Sequence, residues 1–140
     1  MTFDPQVLAS LARQAAEDKK AYDVIILDIR NISIIADYFV ICSGRSSINV
    51  QAIAGGIVDK VKEEISGLTP RKEGVREGRW ILLDYGDVVI HIFQEDERRF
   101  YNLERLWGDA PVVKMPLTDT EGFLGQESES QRSEWKSISY

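Results

Sequence analysis

The sequence predicts an α/β domain in which a mixed sheet of about five strands is covered by helices. Short β-branched runs, at residues 23–30 and 38–44, are apolar on both faces, as expected for strands inside a sheet. Other segments, such as residues 5–19, repeat their apolar residues at helical spacing instead. Strands mixed with helices along one chain are typical of a sheet packed against helices.

The 140 residues divide by composition into a domain and a tail. Residues 1–110 contain all the predicted strands and helices, and a segment of that length can bury a core without disulfides. Residues 111–140 hold two prolines, many serines and no sustained apolar period. We therefore expect a folded domain over 1–110 and a polar, mobile C-terminal tail over 111–140.

The first helix and the first two strands follow in order. Asp4 and Pro5 have the pattern of an N-cap followed by a first-turn proline, which predicts a helix over residues 5–19. Residues 23–30 and 38–44 are the two buried strands, joined by a connection with some apolar anchoring.

A second helix is predicted after the second strand. Ser46 or Ser47 is the expected N-cap, and Gly67 is a natural residue just past the C-terminus. Its apolar stripe consists of Val50, Ile53, Ala54, Ile57, Val58, Val61 and Ile65. The adjacent pair Gly55 and Gly56 lowers helix propensity, which close packing of the helix on the sheet would explain.

The remaining elements form a hairpin and a last helix. Residues 68–74 contain a proline, so they can form only a short edge strand. Residues 80–86 and 87–94 are predicted to pair as an antiparallel hairpin with Gly86 at its tip. Residues 95–108 are predicted as one helix, since acids occupy its first turn and complement the helix dipole.

Charge and cysteine usage limit the possible function and compartment. The net charge is −6, from 17 basic and 23 acidic residues, which disfavours binding to nucleic acid through its phosphates. A negative charge suits a basic partner, but on charge alone a simple role in solubility explains it better. Cys42 is the only cysteine, so the chain has no internal disulfide and a reducing compartment is expected. The N-terminus resembles neither a signal peptide nor an Arg-rich transit peptide, and no apolar run is long enough to span a membrane. We expect a cytoplasmic protein, and less readily one of an organelle stroma or matrix.

Metal binding and acid–base catalysis have weak support in the sequence. Cys42 and His91 cannot form a thiolate–imidazole cage, although Asp28, Asp84 and Asp87 leave a carboxylate magnesium site arithmetically possible. Cys42 lies in an apolar strand and is expected to be an inert core residue. His91 lies mid-strand and is expected to be half-buried and hydrogen-bonded, and no G-x-S-x-G segment presents a nucleophile. We predict neither a metal nor a catalytic residue.

The segment between the second strand and the second helix is a possible anion-binding loop. It consists of Ser43, Gly44, Arg45, Ser46 and Ser47. Free amides at a helix start, with an arginine beside them, could hold a phosphate or a carboxylate. This loop is the basis of an alternative function, a nucleotide-binding enzyme of nucleotidyltransferase type. The D-x-D carboxylate pair of such enzymes is absent after the helix.

The hairpin has the composition of a docking surface. Trp80 and Tyr85 could supply buried area to a partner, and Asp84 and Asp87 could face a basic surface. Alternatively, Trp80 packs under the last helix. The residue types alone do not decide between these two interpretations.

Three motifs of the chain are DYFVICSGRSS at 37–47, GRWILLDYGDVVIHIF at 78–93 and FYNLERLWGDA at 100–110. In this order and spacing they resemble the ribosomal silencing factor family, also called the Iojap family. The resemblance implies an α/β fold similar to nucleotidyltransferases without their catalytic carboxylates, no enzymatic activity and no cofactor. It also implies binding to the large ribosomal subunit through ribosomal protein L-fourteen, which blocks subunit joining and lowers translation when nutrients are scarce.

The resemblance also implies which residues meet the partner. The family's W-x-x-x-D-x-G-D motif falls on Trp80, Asp84, Gly86 and Asp87, while Tyr85 occupies a variable apolar position. Contact would be with a ribosomal protein, with little direct contact to nucleic acid and none with a membrane. The same surface could pair with a second copy in a homodimer when the protein is free.

Overall fold

The computed structural model describes residues 3–106, 108 and 110–113. The described strands form one five-stranded sheet in the order β1-β2-β5-β4-β3. The strands are β1 Tyr22–Asp28, β2 Tyr38–Gly44, β3 Arg71–Glu73, β4 Trp80–Asp84 and β5 Val88–Gln94. Only β2 and β5 pair in parallel, and the other three pairings are antiparallel. The mixed five-stranded sheet predicted from the sequence is confirmed.

The described residues also form four helices. They are α1 Pro5–Asp18, α2 Ser47–Glu64, α3 Glu95–Tyr101 and α4 Leu103–Leu106. As predicted, a carboxylate oxygen of Asp4 caps α1 by accepting from the amide of Gln6 at 2.9 Å. The hydroxyl of Ser46 caps α2 in the same way, accepting from the amide of Asn49 at 3.0 Å.

The two faces of the sheet have separate apolar clusters, because successive side chains of a strand point to opposite faces. On one, which we call the inner face, the apolar stripes of α1 and α2 pack against the sheet. On the other, the outer face, the cluster includes Phe39, Ile41 and Phe93, with Trp80 and Leu82 packed against it. Among the described residues, this outer-face cluster is completed by Leu103 of α4 and by Ala110 and Val112 rather than by a long helix.

The last helix differs from the prediction of a single helix over 95–108. The chain breaks at Asn102, whose φ of 48° is left-handed. The amide of Asn102 donates to the carbonyl of Arg98, and its own carbonyl and side-chain oxygens accept from the amide of Arg105. Asn102 therefore ends α3 and begins α4, a conformation that asparagine tolerates better than most residues. Trp107, within the predicted helix, lies outside the described residues.

The described structure continues past the predicted domain boundary at Ala110. The carbonyl of Pro111 accepts from the amide of Asp28, and the amide of Val113 donates to the carbonyl of Ile26. Val112 forms an antiparallel bridge with Leu27 and packs against the outer-face cluster. Residues 111–113 thus pair with the edge of β1 that faces away from β2. The prediction of a mobile tail falls, from Lys114 onward, outside the described residues.

Candidate functional site

Trp80 lies at the start of β4 on the outer face, directly opposite Phe93 of β5. Its ring stacks on Phe93 at a centroid distance of 4.9 Å and contacts the ring of Tyr101 at 4.7 Å. Its indole N–H donates to Nδ1 of His91 at 3.1 Å. Trp80 is half-buried. It packs against a residue of α3, as one interpretation of the sequence expected, and its role in docking stays a prediction.

Two aromatic residues of α3 extend the exposed surface beside Trp80. Phe100 is 80% exposed and Tyr101 is 47% exposed, and their rings meet edge to face at 5.0 Å. We call Trp80, Phe100 and Tyr101 the aromatic patch. The sequence analysis did not predict either Phe100 or Tyr101 as part of a docking surface. The left-handed Asn102 ends α3 directly after these two residues, so the single helix predicted over 95–108 is interrupted there.

His91 is buried below the aromatic patch, with 5% of its surface exposed. Its Nδ1 accepts from Trp80, so the ring proton lies on Nε2, which has no hydrogen-bond partner within the described structure. Burial lowers the pKa of His91 to about 4, although the carboxylate of Asp84 opposes this effect. His91 is therefore a neutral, structural imidazole at physiological pH. It is hydrogen-bonded, as predicted, and more deeply buried than expected.

We expect His91 to make the fold acid-sensitive. Its ordinary pKa is 6.5 and its folded pKa is about 4, so between these values the unfolded chain binds a proton that the folded chain does not. The stability that the fold gains by keeping His91 neutral is fully present above pH 6.5. It is lost as the pH falls to 4, and the total loss in the free energy of unfolding is about 3 kcal/mol. Urea unfolding from pH 7 to pH 4 should show this loss. Since His91 is the only histidine, His91→Gln should flatten the profile between pH 6.5 and 5. Parallel profiles for the two proteins would contradict the assignment.

The hairpin tip is built around Asp84 and Gly86. A carboxylate oxygen of Asp84 accepts from the amide of Gly86 at 2.8 Å, and the amide of Tyr85 donates to the carbonyl of Val88. Gly86 has a φ of 91°, which a side chain would strain. The carbonyl of Asp87 accepts from the amide of Asp37 at 2.7 Å, while its side chain is exposed. Asp84 thus shapes the turn, and Asp87 presents a charge to solvent.

Tyr85 is at odds with the docking role proposed for it from the sequence. It is 8% exposed and belongs to the inner-face cluster under the helices. Strand alternation from Trp80 puts it on the opposite face, and burial raises the pKa of its hydroxyl. Tyr85 is a core residue and offers almost no surface to a partner.

The predicted docking residues divide between the two ends of one strand. Trp80 begins β4 and Asp84 ends it, both on the outer face, about 13 Å apart at roughly 3.3 Å per residue. Leu82 lies between them and is half-buried. The aromatic patch and the hairpin tip are therefore two contact points on one face, too far apart to bind one small ligand jointly.

The possible anion-binding loop is largely used by the fold. Ser43 is 1% exposed, and its hydroxyl accepts from the guanidinium of Arg98 at 2.8 Å. Gly44 is buried, and a Cβ there would meet a methyl of Val50 at 2.8 Å. The amide of Arg45 donates to the side chain of Asn49 at 2.9 Å.

The rest of that loop is engaged as well. The guanidinium of Arg45 lies over the ring of Tyr22 at 4.8 Å. The hydroxyl of Ser46 is the helix cap. Ser47 lies so close to Gly78 that a Cβ added to Gly78 would clash with it. The structure therefore weighs against an anion site at residues 43–47, because a capped and packed helix start accounts for the glycine and the serines.

The carboxylates of the possible magnesium site do not converge. Asp28 is on β1 and Asp84 on β4, three strand spacings or about 14 Å apart. Asp28 instead accepts two bonds from Arg30, at 2.9 and 2.7 Å, which lower its pKa. Within residues 3–106, 108 and 110–113, no three Asp, Glu, His or Cys residues are grouped to hold a metal ion. Cys42 is fully buried, and burial raises its pKa to about 12, so its thiol is unreactive.

Comparison with known proteins assigns the family. A family model described as "Ribosomal silencing factor during starvation" matches residues 2–139. The chain belongs to this ribosomal silencing factor family. It is 50% identical over 109 residues to ribosomal silencing factor RsfS of Bacillus subtilis (strain 168), covering 77% of this chain and 91% of that protein. It is 35% identical over 112 residues to the chloroplastic protein Iojap of Zea mays, covering 80% of this chain and 47% of that protein.

Solved structures support the same family fold. The chain is similar to a crystal structure from Chromobacterium violaceum, with a TM-score of 0.72 and 32% identity over 82% of this chain and 94% of that chain. It is also similar to one from Bacillus halodurans, with a TM-score of 0.67 and 46% identity over 77% of this chain and 97% of that chain. Among the residues that the structure describes, no helix is both long and apolar enough to cross a membrane.

Proposed function

We propose that this ribosomal silencing factor binds the large ribosomal subunit through ribosomal protein L-fourteen and sterically blocks joining of the small subunit. Translation would fall when nutrients are scarce, and the cytoplasm would be the place of action. The observation that carries the proposal is the half-buried Trp80 on the outer face. It is continuous with the exposed rings of Phe100 and Tyr101. Large aromatic side chains are the residue types that most often dominate protein–protein binding energy.

The charge of the chain supports a basic protein as the partner. The net charge is −6, and the hairpin tip adds the exposed carboxylate of Asp87 to the face that carries Trp80. An acidic face attracts a basic partner and raises the encounter rate, and it repels bare phosphates. This supports contact with a ribosomal protein in preference to ribosomal RNA.

The chemistry of the described residues supports binding rather than catalysis. His91 is neutral and bonded to Trp80, the thiol of Cys42 is buried, and the hydroxyl of Ser43 is held by Arg98. These groups are therefore poorly placed to act as a base or a nucleophile on a substrate. A non-enzymatic, steric mode of action needs only a rigid domain and a specific surface.

Co-sedimentation with separated ribosomal subunits tests the proposal. The protein should migrate with the large subunit and not with the small one, and it should reduce joining when both are mixed. A matched pair of charge reversals tests the surface. Asp87→Lys changes an exposed side chain at the hairpin tip, whereas Glu63→Lys changes an exposed side chain of α2 on the other side of the sheet.

We expect Asp87→Lys to slow association and to flatten its salt dependence, because it removes attraction to a basic surface. Its melting temperature should change little, since the bonds at Asp87 to Asp37 and Tyr38 use the backbone carbonyl. Glu63→Lys should bind with a rate close to that of the parent protein. Equal rates for the two variants would place the contact elsewhere, and equal recovery with both subunits would refute subunit-specific binding.

A further inference from the structure

The connection between β1 and β2 exposes three isoleucines within four residues. Ile32 is 46% exposed, Ile35 is 66% exposed and Ile34 has a relative exposure of 104%, so its side chain touches essentially nothing. None of the three belongs to the inner-face or the outer-face cluster. We call residues 32–35 the isoleucine loop. Single exposed apolar residues are ordinary, but a contiguous group marks an interaction surface.

The isoleucine loop is held in place by its own hydrogen bonds. The carbonyl of Ile29 accepts from the amides of Ile32 and Ser33, at 3.2 and 3.0 Å, and the hydroxyl of Ser33 accepts from the amide of Ile35 at 3.0 Å. The amide of Ile29 donates to the carbonyl of Asp37 at 2.9 Å, which closes the base of the connection. The backbone therefore presents the isoleucines outward in one conformation, which lowers the entropic cost of docking.

The isoleucine loop is continuous with the outer face. Ile29 and Ala36, which flank it, are buried in the same apolar cluster against which Trp80 packs. The amide of Asp37 donates to the carbonyl of Asp87 at 2.7 Å, so the base of the loop is tied to the hairpin tip. A partner that covers the hairpin tip therefore also reaches the loop.

The charges around the loop indicate a basic partner. The register of the sheet brings Asp28, Asp37, Asp84 and Asp87 to this end. Arg30 neutralises Asp28 through two hydrogen bonds, and Arg71 lies opposite Asp84 in the register. The net charge at this end of the sheet is therefore negative, and the exposed isoleucines lie beside it.

We propose that the isoleucine loop is a third contact point of the docking surface, packing on an apolar recess of the basic ribosomal protein that meets the outer face. This proposal rests on the proposed function. A stable interface usually buries about 800 Å² on each partner, with an apolar core inside a polar rim. The surface that separates the aromatic patch from the hairpin tip offers little apolar area, because Tyr85 is buried and Leu82 is only partly exposed. The three isoleucines supply the missing apolar area at the hairpin end.

The test compares two sets of exposed isoleucines in the full-length protein. The double variant Ile34→Ser with Ile35→Ser removes the apolar loop tip, and Ile48→Ser is the matched control, since Ile48 is 76% exposed on α2. All three side chains make few contacts, so urea unfolding should give the same stability for both variants. Affinity is measured by titrating purified large ribosomal subunits with labelled protein, at low and at high salt.

The double variant should bind at least about tenfold more weakly, and the loss should persist at high salt because the lost contact is apolar. Ile48→Ser should bind like the parent protein. If the parent protein does not bind the large subunit at all, the proposed function itself fails. If the parent binds and the double variant binds equally well, only the loop contact is refuted. If the double variant dissociates a dimer of the free protein and leaves subunit binding unchanged, the occupant is a second copy and the proposal is overturned.

Discussion

Trp80→Ala is expected to weaken binding to the large ribosomal subunit by about 2 kcal/mol or more, as truncation of an interface tryptophan typically does. The same change should lower the free energy of unfolding by about 2–3 kcal/mol. That cost is below the range for a fully buried tryptophan, because Trp80 is only half-buried. It includes the loss of stacking on Phe93 and of the hydrogen bond to His91, whose Nδ1 then lacks its donor. Binding and urea unfolding are measured on the same preparation.

The matched control is Leu83→Ala, on the same strand but on the inner face. Leu83 is fully buried under the helices, so its truncation should cost about 2–5 kcal/mol of stability. While folded, this variant should bind the large subunit as the parent protein does. If Trp80→Ala and Leu83→Ala lose affinity equally at matched stability, the binding defect reflects a loosened fold and the outer face is not the docking surface.

Gly74→Ala is expected to destabilise the fold strongly, through two separate costs. Gly74 has a φ of 77°, and a Cβ there would overlap the backbone carbonyl oxygen of Trp80, which cannot move aside without shifting β4. The left-handed conformation costs roughly 1–2 kcal/mol for a residue with a side chain, and forced overlap costs about 1–3 kcal/mol more. We expect a loss of about 3 kcal/mol or more in urea unfolding, with impaired binding because Trp80 begins the displaced strand.

Gly86→Ala separates these two costs. Gly86 also has a left-handed φ, of 91°, but a Cβ there would meet nothing within 4 Å. Its substitution should therefore cost only the conformational part, about 1–2 kcal/mol. Equal losses for the two variants would show that overlap with the carbonyl of Trp80 is relieved by small movements of the chain.

Local sequence patterns predicted most elements because each rests on neighbouring residues. The β2 bounds agree with the prediction, and the N-caps Asp4 and Ser46 are where side-chain chemistry placed them. The break at Asn102 was missed, since an asparagine in an acidic, amphipathic segment is compatible with a continuous helix. Leu103, directly after the break, packs against the outer-face cluster, and such a long-range contact is not contained in a local pattern.

The candidate site was predicted in part. Strand alternation puts Trp80 and Asp84 on one face and Tyr85 on the other, although the docking assignment included Tyr85. Phe100 and Tyr101 were missed as surface residues because their exposure depends on where α3 ends. Nothing in the isoleucine loop distinguishes an exposed isoleucine from a buried one until its neighbours are known.

The sequence by itself determined the family, the α/β class and the alternation that separates the two faces of each strand, because these depend on residue types and their spacing. Only the tertiary structure decided which of those faces is covered. The helices α1 and α2 bury the face of Ile81, Leu83 and Tyr85, whereas Trp80 lies half-buried on the other face. Exposure of a side chain is set by elements distant in sequence. For that reason the partner-facing surface, its aromatic patch and its isoleucine loop emerge only when β1, β4 and α3 are brought together.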